Sequence, residues 1–301
     1  MAEPAPLIIE AAINGATTRN RNPNVPRSPR EVAEDGLRCF EAGAAIVHNH
    51  NDEPVVGGSS GVHSPQPYIE AWSAILAERP DALLYPTMAS GGAYTTIEER
   101  YAHIPALAEA GVLRIGLVDP GCVNVGPCDS EGLPINADLT YVNTFRDARY
   151  MFATCEQHQL GPSISNFEPG FVRVAMRYAR AGRMPKGALV KFYFGGESQN
   201  FGLPPTEKCL EAYLEMIAES GLPWSVAVLG GDVVACGMAR LAIERGGHVR
   251  VGLEDYAGPR TPRNAELVHE LVELAASMGR PVASCDEAAA ILGLPRAAAG
   301  S

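Results

Sequence analysis

What this chain lacks narrows it first. No stretch approaches the ~20 uninterrupted apolar residues that a membrane span needs, so no membrane partner is expected. The opening Met1-Ala2-Glu3-Pro4 has neither a basic segment nor an apolar core, and no secretory leader is expected. Basic residues are the minority: 24 lysines and arginines against 35 aspartates and glutamates leave a net charge of −11. A surface of that sign argues against nucleic acid as the main partner. The cysteines are odd in number, seven, with no Cys-x-x-Cys spacing. That fits reduced thiols in the cytoplasm better than a disulfide framework. No Walker motif occurs, and only Asn14-Gly15-Ala16 stands where a dinucleotide-binding fold would need Gly-x-Gly-x-x-Gly.

Apolar residues, at 46% of 301, suffice for one large barrel or two modest domains. Short β-branched runs predict strands at 7–13, 45–50, 83–88, 113–118, 163–168, 189–194, 225–230 and 248–255. Amphipathic stretches predict helices at 29–42, 65–77, 97–110, 146–158, 171–181, 205–220, 232–244 and 262–278. Ser28-Pro29-Arg30-Glu31 and Thr96-Ile97-Glu98-Glu99 match the capping box, and glycines at 43, 111 and 221 mark helix ends. Strict alternation implies a parallel sheet, and eight units imply a closed (β/α)8 barrel over 1–295, with 296–301 a frayed tail. The runner-up is a doubly wound open sheet. Three long connections, at 17–28, 51–64 and 119–144, follow strand C-termini, the end where barrel enzymes keep their chemistry.

Two of those strand ends carry the chemistry. His48 and His50 close the run Ala44-Ala45-Ile46-Val47. Residues i and i+2 of a strand share a face, about 7 Å apart along the chain, so both imidazoles can face one point. A carboxylate from the run ending in Glu254 and Asp255 can complete a two-histidine, one-glutamate site, typical of catalytic zinc. Arg250 and Glu254 are evenly spaced, which turns both toward the lumen, and a buried arginine there needs Asp255 or Glu254 as partner. A cation beside an arginine-held carboxylate suits removal of a proton next to a carbonyl.

The runs Leu7-Ile8-Ile9-Glu10-Ala11-Ala12-Ile13-Asn14-Gly15-Ala16, Glu41 to His50, and His248-Val249-Arg250-Val251-Gly252-Leu253-Glu254-Asp255 resemble the β-keto acid cleavage enzyme family. The resemblance extends to Ser90-Gly91-Gly92, Gly121-Cys122-Val123-Asn124-Val125-Gly126 and Asn264-Ala265-Glu266-Leu267-Val268. It implies a zinc-dependent barrel that condenses a β-keto acid with acetyl-CoA, releasing acetoacetate and a new CoA thioester. Carried over by position, His48, His50 and Glu254 would hold zinc, and Asp255, oriented by Arg250, would take the proton. Asn14, Thr17, Ser90, Gly91, Gly92, Asp119 and Ser165 would meet the substrate. Four positions depart from the family: Ala89 stands where a carboxylate-binding serine is usual, with Ser90 next to it. Thr17 and Ser165 stand where members acting on amino-bearing keto acids carry acids. Asp119 replaces an amide. A keto acid without an ammonium group is therefore expected.

Other features keep two readings. Glu10 is either an acid that hydrogen-bonds a zinc-ligand histidine from behind or a buried carboxylate paired elsewhere in the barrel. Lys191 is a Schiff-base lysine or a lumen salt-bridge partner of Glu168, and Glu168 itself is a substrate acid or a rim residue. Gly195-Gly196 and Gly230-Gly231 are CoA phosphate cradles or plain tight turns. Cys122 reads as a small packing residue more readily than a nucleophile, and His63, His103, His158 and His269 as surface or packing residues. Two other functions compete: a metal aldolase or lyase working without CoA, and a barrel that only binds a keto acid. A homo-oligomer, dimer or tetramer, is expected.

Overall fold

The computed structural model describes residues 5–51, 63–89, 95–126, 128–135 and 140–295. The Gly57–Gly61 stretch, Ser90-Gly91-Gly92 and the tail at 296–301 lie outside the described residues. The strands are β1 Ile9–Ala12, β2 Ile46–Asn49, β3 Leu83–Pro86, β4 Ile115–Val118, β5 Val123–Asn124, β6 Thr140–Tyr141, β7 Gly161–Asn166, β8 Leu189–Gly195, β9 Trp224–Leu229 and β10 His248–Val251. The helices are α1 Pro29–Ala42, α2 Gln66–Glu78, α3 Ile97–Arg100, α4 His103–Glu109, α5 Phe145–Gln157, α6 Pro169–Arg180, α7 Glu207–Ile217, α8 Met238–Glu244, α9 Asn264–Ser277 and α10 Cys285–Leu292.

Eight strands form one parallel sheet in the order β3-β2-β1-β10-β9-β8-β7-β4. Its two outer strands, β3 and β4, come back beside one another and nearly close the ring without a ladder between them. This is the expected (β/α)8 barrel, a single domain, and the open doubly wound alternative is excluded. Register explains the site. Glu10 pairs with Arg250 on one side and Ile46 on the other, while Ala12 pairs with His48 and His48 with Tyr85. Adjacent strands lie about 4.8 Å apart, so β10, β1, β2 and β3 present these side chains as one lumen patch.

Strand alternation does the sorting on β2. His48 and His50 face inward, while Asn49 points the other way and accepts a hydrogen bond from the Trp72 indole at 2.8 Å. Trp72, on α2, is fully buried, so its ring and that bond hold β2 from behind. Ahead of β2, α1 starts at the Ser28–Glu31 capping box and stops at Gly43, φ 113°, as its sequence indicates.

Several elements differ from expectation for local reasons. The helix expected at 97–110 is two, α3 and α4, because Pro105 has no N–H to give the Tyr101 carbonyl. The helix expected from 232 begins only at Met238. Before it, the Asp232 carboxylate accepts the Val234 and Ala235 N–H groups at 3.0 Å each, closing a turn that competes with helix. The β5–β6 hairpin lies inside the connection after β4, and α10 follows the last expected helix. Helix α10 was legible, since Ser284-Cys285-Asp286-Glu287 forms a full capping box. Among the described residues no helix is long and apolar enough to cross a membrane, and all seven cysteines are free.

Candidate metal centre at the barrel mouth

His48, His50 and Glu254 converge at the C-terminal end of β2 and just past β10. One ligand atom from each lies within 4.8 Å of the others, the only such three-residue group among the described residues. His48 Nε2 stands 3.2 Å from Glu254 Oε2, and His50 Nε2 stands 3.3 Å from Oε1. The turn that aims Glu254 is set by glycine. At Gly252, φ 146°, a Cβ would fall 2.0 Å from the Ala12 carbonyl oxygen, so only glycine lets the chain pass β1. Facing it, Gly15 has φ 51°, and a Cβ there would lie 2.2 Å from Glu254 Cγ.

The protonation pattern bears on what this cluster can hold. His48 Nδ1 lies 3.2 Å from the Tyr85 carbonyl. A carbonyl only accepts, so Nδ1 carries the hydrogen and Nε2 a lone pair. Burial lowers the His48 pKa to about 4, which keeps the ring neutral near pH 7. Although burial pushes Glu254 up, Arg250 and then His50 and His48 hold it well below the usual carboxylate range. A neutral imidazole lone pair thus faces an ionised carboxylate at hydrogen-bond distance with no proton between. Glu254 Oε2 and His50 Nε2 are buried without any hydrogen-bond partner among the described residues. Such an arrangement is repulsive unless a cation lies between the donors, and its two-nitrogen, one-carboxylate composition suits zinc.

Beside the cluster lies a charge network. Arg250, 1% exposed, donates Nε to Asp255 Oδ2 at 2.8 Å and Nη2 to Oδ1 at 3.0 Å, a bidentate fork. The same guanidinium reaches Glu254 at 2.7 Å and Glu10 at 3.1 Å. Burial raises the Asp255 carboxyl above its ordinary value, with Arg250 opposing. Lys191 Nζ contacts the Tyr85 hydroxyl at 2.5 Å and Glu10 at 3.3 Å, and Tyr85 donates to Glu10. Sequence reasoning missed Tyr85. Of the two readings of Lys191, Schiff-base lysine or salt-bridge partner of Glu168, the salt bridge forms with Glu10 instead, while Glu168 accepts the Gly202 N–H at 2.9 Å. Glu10 therefore takes the second of its two readings and reaches His48 only by way of Tyr85.

Of the positions expected at the substrate, Asn14 accepts from the His50 N–H at 2.7 Å and donates to the His50 carbonyl at 2.9 Å, fixing that histidine's backbone. Thr17 donates its hydroxyl to the Leu253 carbonyl at 2.6 Å and so braces the Glu254 turn. On the opposite wall Tyr141 donates its hydroxyl to Asp119 Oδ2 at 2.6 Å, burial raises the Asp119 carboxyl, and Ser165 lies buried on β7. Gly196, Gly230 and Gly231 give their N–H groups to backbone carbonyls of Leu229 and Asp255, which makes these plain tight turns. His63 and His103 are buried packing residues, their rings 5.4 Å apart.

A parallel barrel with ionisable groups gathered at its C-terminal mouth defines the class: a (β/α)8 barrel enzyme. Residues 6–294 match the family described as beta-keto acid cleavage enzyme, and the chain belongs to that family. It is 31% identical over 296 residues to the 3-keto-5-aminohexanoate cleavage enzyme of Fusobacterium nucleatum, covering 96% of this chain and 98% of that protein. It is 28% identical over 300 residues to the 3-oxoadipate:acetyl-CoA acetyltransferase of Cupriavidus necator, covering 96% and 95%. Among solved structures, the ternary complex of ObcA with C4-CoA adduct and oxalate superposes with a TM-score of 0.67 at 18% identity, over 90% of this chain and 68% of that one. That likeness speaks to the fold.

Proposed function

We propose that this chain is a zinc-dependent β-keto acid cleavage enzyme that converts a β-keto acid and acetyl-CoA into acetoacetate and a new acyl-CoA. The observation that carries the reading is the meeting of His48, His50 and Glu254 at one point beside an arginine-held Asp255. Those three residues would hold the zinc, which when bound polarises the substrate's ketone and carboxylate oxygens and acidifies the carbon between them. Asp255 takes the proton from that carbon. Its burial-raised pKa makes it a better base than an ordinary aspartate, and the Arg250 fork fixes its oxygens. The carbanion attacks the acetyl-CoA carbonyl and expels the CoA thiolate. The thiolate then adds to the original ketone, the bond between that ketone and the α-carbon breaks, and the proton returns to carbon. Acetoacetate and the acyl-CoA leave.

Substrate charge follows from the uncharged side chains at Thr17 and Ser165. The Thr17 hydroxyl is committed to Leu253, and Ser165 is a buried, uncharged hydroxyl, so neither offers an ammonium a counter-charge. Burial raises the Asp119 carboxyl above its ordinary value, and its Oδ2 already accepts from the Tyr141 hydroxyl. A keto acid without an amino group, unlike the substrate named for the Fusobacterium relative, is the better fit. Zinc-loaded protein with acetyl-CoA and a panel of β-keto acids, scored for acetoacetate, tests this. Turnover is expected on uncharged short-chain members. No acetoacetate from any of them, or faster turnover of an amino-bearing one, overturns the reading.

A further inference from the structure

The turns at Gly195-Gly196 and Gly230-Gly231 offer no phosphate cradle, because their N–H groups already serve backbone carbonyls. The arginines of the cleft beside His50 are also engaged: Arg19 with Glu31, and Arg27 with the carbonyls of Gly15 and Thr17. A different place has unspent positive charge. Arg149 on α5, Arg173, Arg177 and Arg180 on α6, and Arg183 just beyond are exposed, and none has an ion-pair partner among the described residues. In a chain of net charge −11 this concentration stands out. Arg173, Arg177 and Arg180 recur at i, i+4 and i+7, so one face of α6 presents all three.

All of these arginines except Arg180 line one groove. A cavity of about 770 Å³ runs from Gly121 and Cys122, just past β4, over the start of α6 to Arg173 and Arg177. A second, of about 910 Å³, shares Phe145, Val174 and Arg177 with it and continues to Arg149 and Arg183. The groove thus starts at the barrel mouth and descends between α5 and α6. Helix α6, 12 residues long, has no side-chain cap, and Gly170 in its first turn lines the groove. The Gly170 N–H adds to the positive field of the arginines. Phe145, 74% exposed, forms an aromatic wall beside them. Two acids also line it: Glu156, at the far end, and Glu168, whose carboxylate is turned to the Gly202 N–H.

The geometry points to this groove as the site for the 3′-phosphorylated ADP end of the CoA co-substrate: arginines on the phosphates, Phe145 against the adenine, the pantetheine arm running up past Gly121 into the mouth. The inference rests on the acetyl-CoA reading above. Guanidinium groups match phosphate oxygens in pairs, and an exposed ring offers a face on which a base stacks.

The test separates the two. Calorimetry with adenosine 3′,5′-bisphosphate needs no turnover and reads the groove alone. Binding by the wild type, weakened at least ~10-fold in Arg173→Ala/Arg177→Ala and by added salt, is expected. Steady-state kinetics then compare acetyl-CoA with S-acetylpantetheine, which lacks the nucleotide. The wild type should show a lower KM for acetyl-CoA, and the double variant should bring the two KM values together. A variant that raises both KM values equally, or nucleotide binding unchanged by the substitutions, overturns the groove assignment. No nucleotide binding by the wild type, as when a second copy of the chain covers this face, overturns it too. Failure of acetoacetate formation with nucleotide binding intact counts against the acyl-exchange reading alone.

Discussion

Asp255→Asn is the sharpest probe of the proposed chemistry. The amide is nearly isosteric, but it cannot accept a proton at the pH of the reaction. The structure sets the structural cost. Arg250 loses one of its three carboxylate partners and keeps Glu10 and Glu254, at 3.1 and 2.7 Å. One amide oxygen still accepts from the guanidinium, while the amide N–H group faces a donor, so roughly one charged hydrogen bond is lost, about 1.5–3 kcal/mol. Against a typical ~5–15 kcal/mol of stability the variant stays folded. It should also keep its metal, because Asp255 supplies none of the converging donor atoms. Turnover is another matter. Loss of a general base lowers kcat by ~10²–10⁴-fold, about 2.7–5.5 kcal/mol of barrel-mouth chemistry. The decisive assay leaves out acetyl-CoA and follows deuterium uptake at the carbon between ketone and carboxylate by NMR, corrected for spontaneous exchange. The wild type should speed exchange and the variant should not. Equal exchange in both would refute Asp255 as the base.

Three further outcomes follow from particular contacts. His50→Ala should leave a folded barrel that has lost most of the ~1 zinc per chain expected of such a site, measured by elemental analysis after dialysis; full occupancy would sink the ligand assignment. Lys191→Met should cost about 3–5 kcal/mol in urea unfolding because it strands part of Glu10's charge, and Lys191→Met/Glu10→Gln should regain much of it; a single variant as stable as the wild type contradicts the pairing. Glu31, held down to about 2 from 4.5 by the N–H groups of Ser28 and Arg27 and by Arg19, contributes stability that is complete above pH 4.5 and lost as pH falls through 2. Its side chain is 39% exposed, so screening limits this to about 1 kcal/mol or less, and the stability gap between wild type and Glu31→Gln should shrink between pH 6 and pH 2.5.

Local patterns determined a good deal here. Strand–helix alternation is a property of short windows, so the eight units and the barrel were readable, as were the caps at Ser28 and Thr96. Two-residue periodicity also placed His48 and His50 on one face without knowledge of the fold, because alternation across a strand is local geometry. Pairing across the lumen is not local. Nothing near Lys191 in the chain names Glu10 and Tyr85 as its partners, since they come from β1 and β3, 181 and 106 residues away. Competition for backbone groups was equally hidden: Gly230 and Gly231 read as a phosphate cradle until the Asp255 carbonyl takes both N–H groups. The arginines of α5 and α6 were visible one by one, but only the packing of those helices makes a groove of them. Sequence determines what each segment can offer; closure of the barrel decides which offers meet, because lumen distances depend on register and shear between strands far apart in the chain.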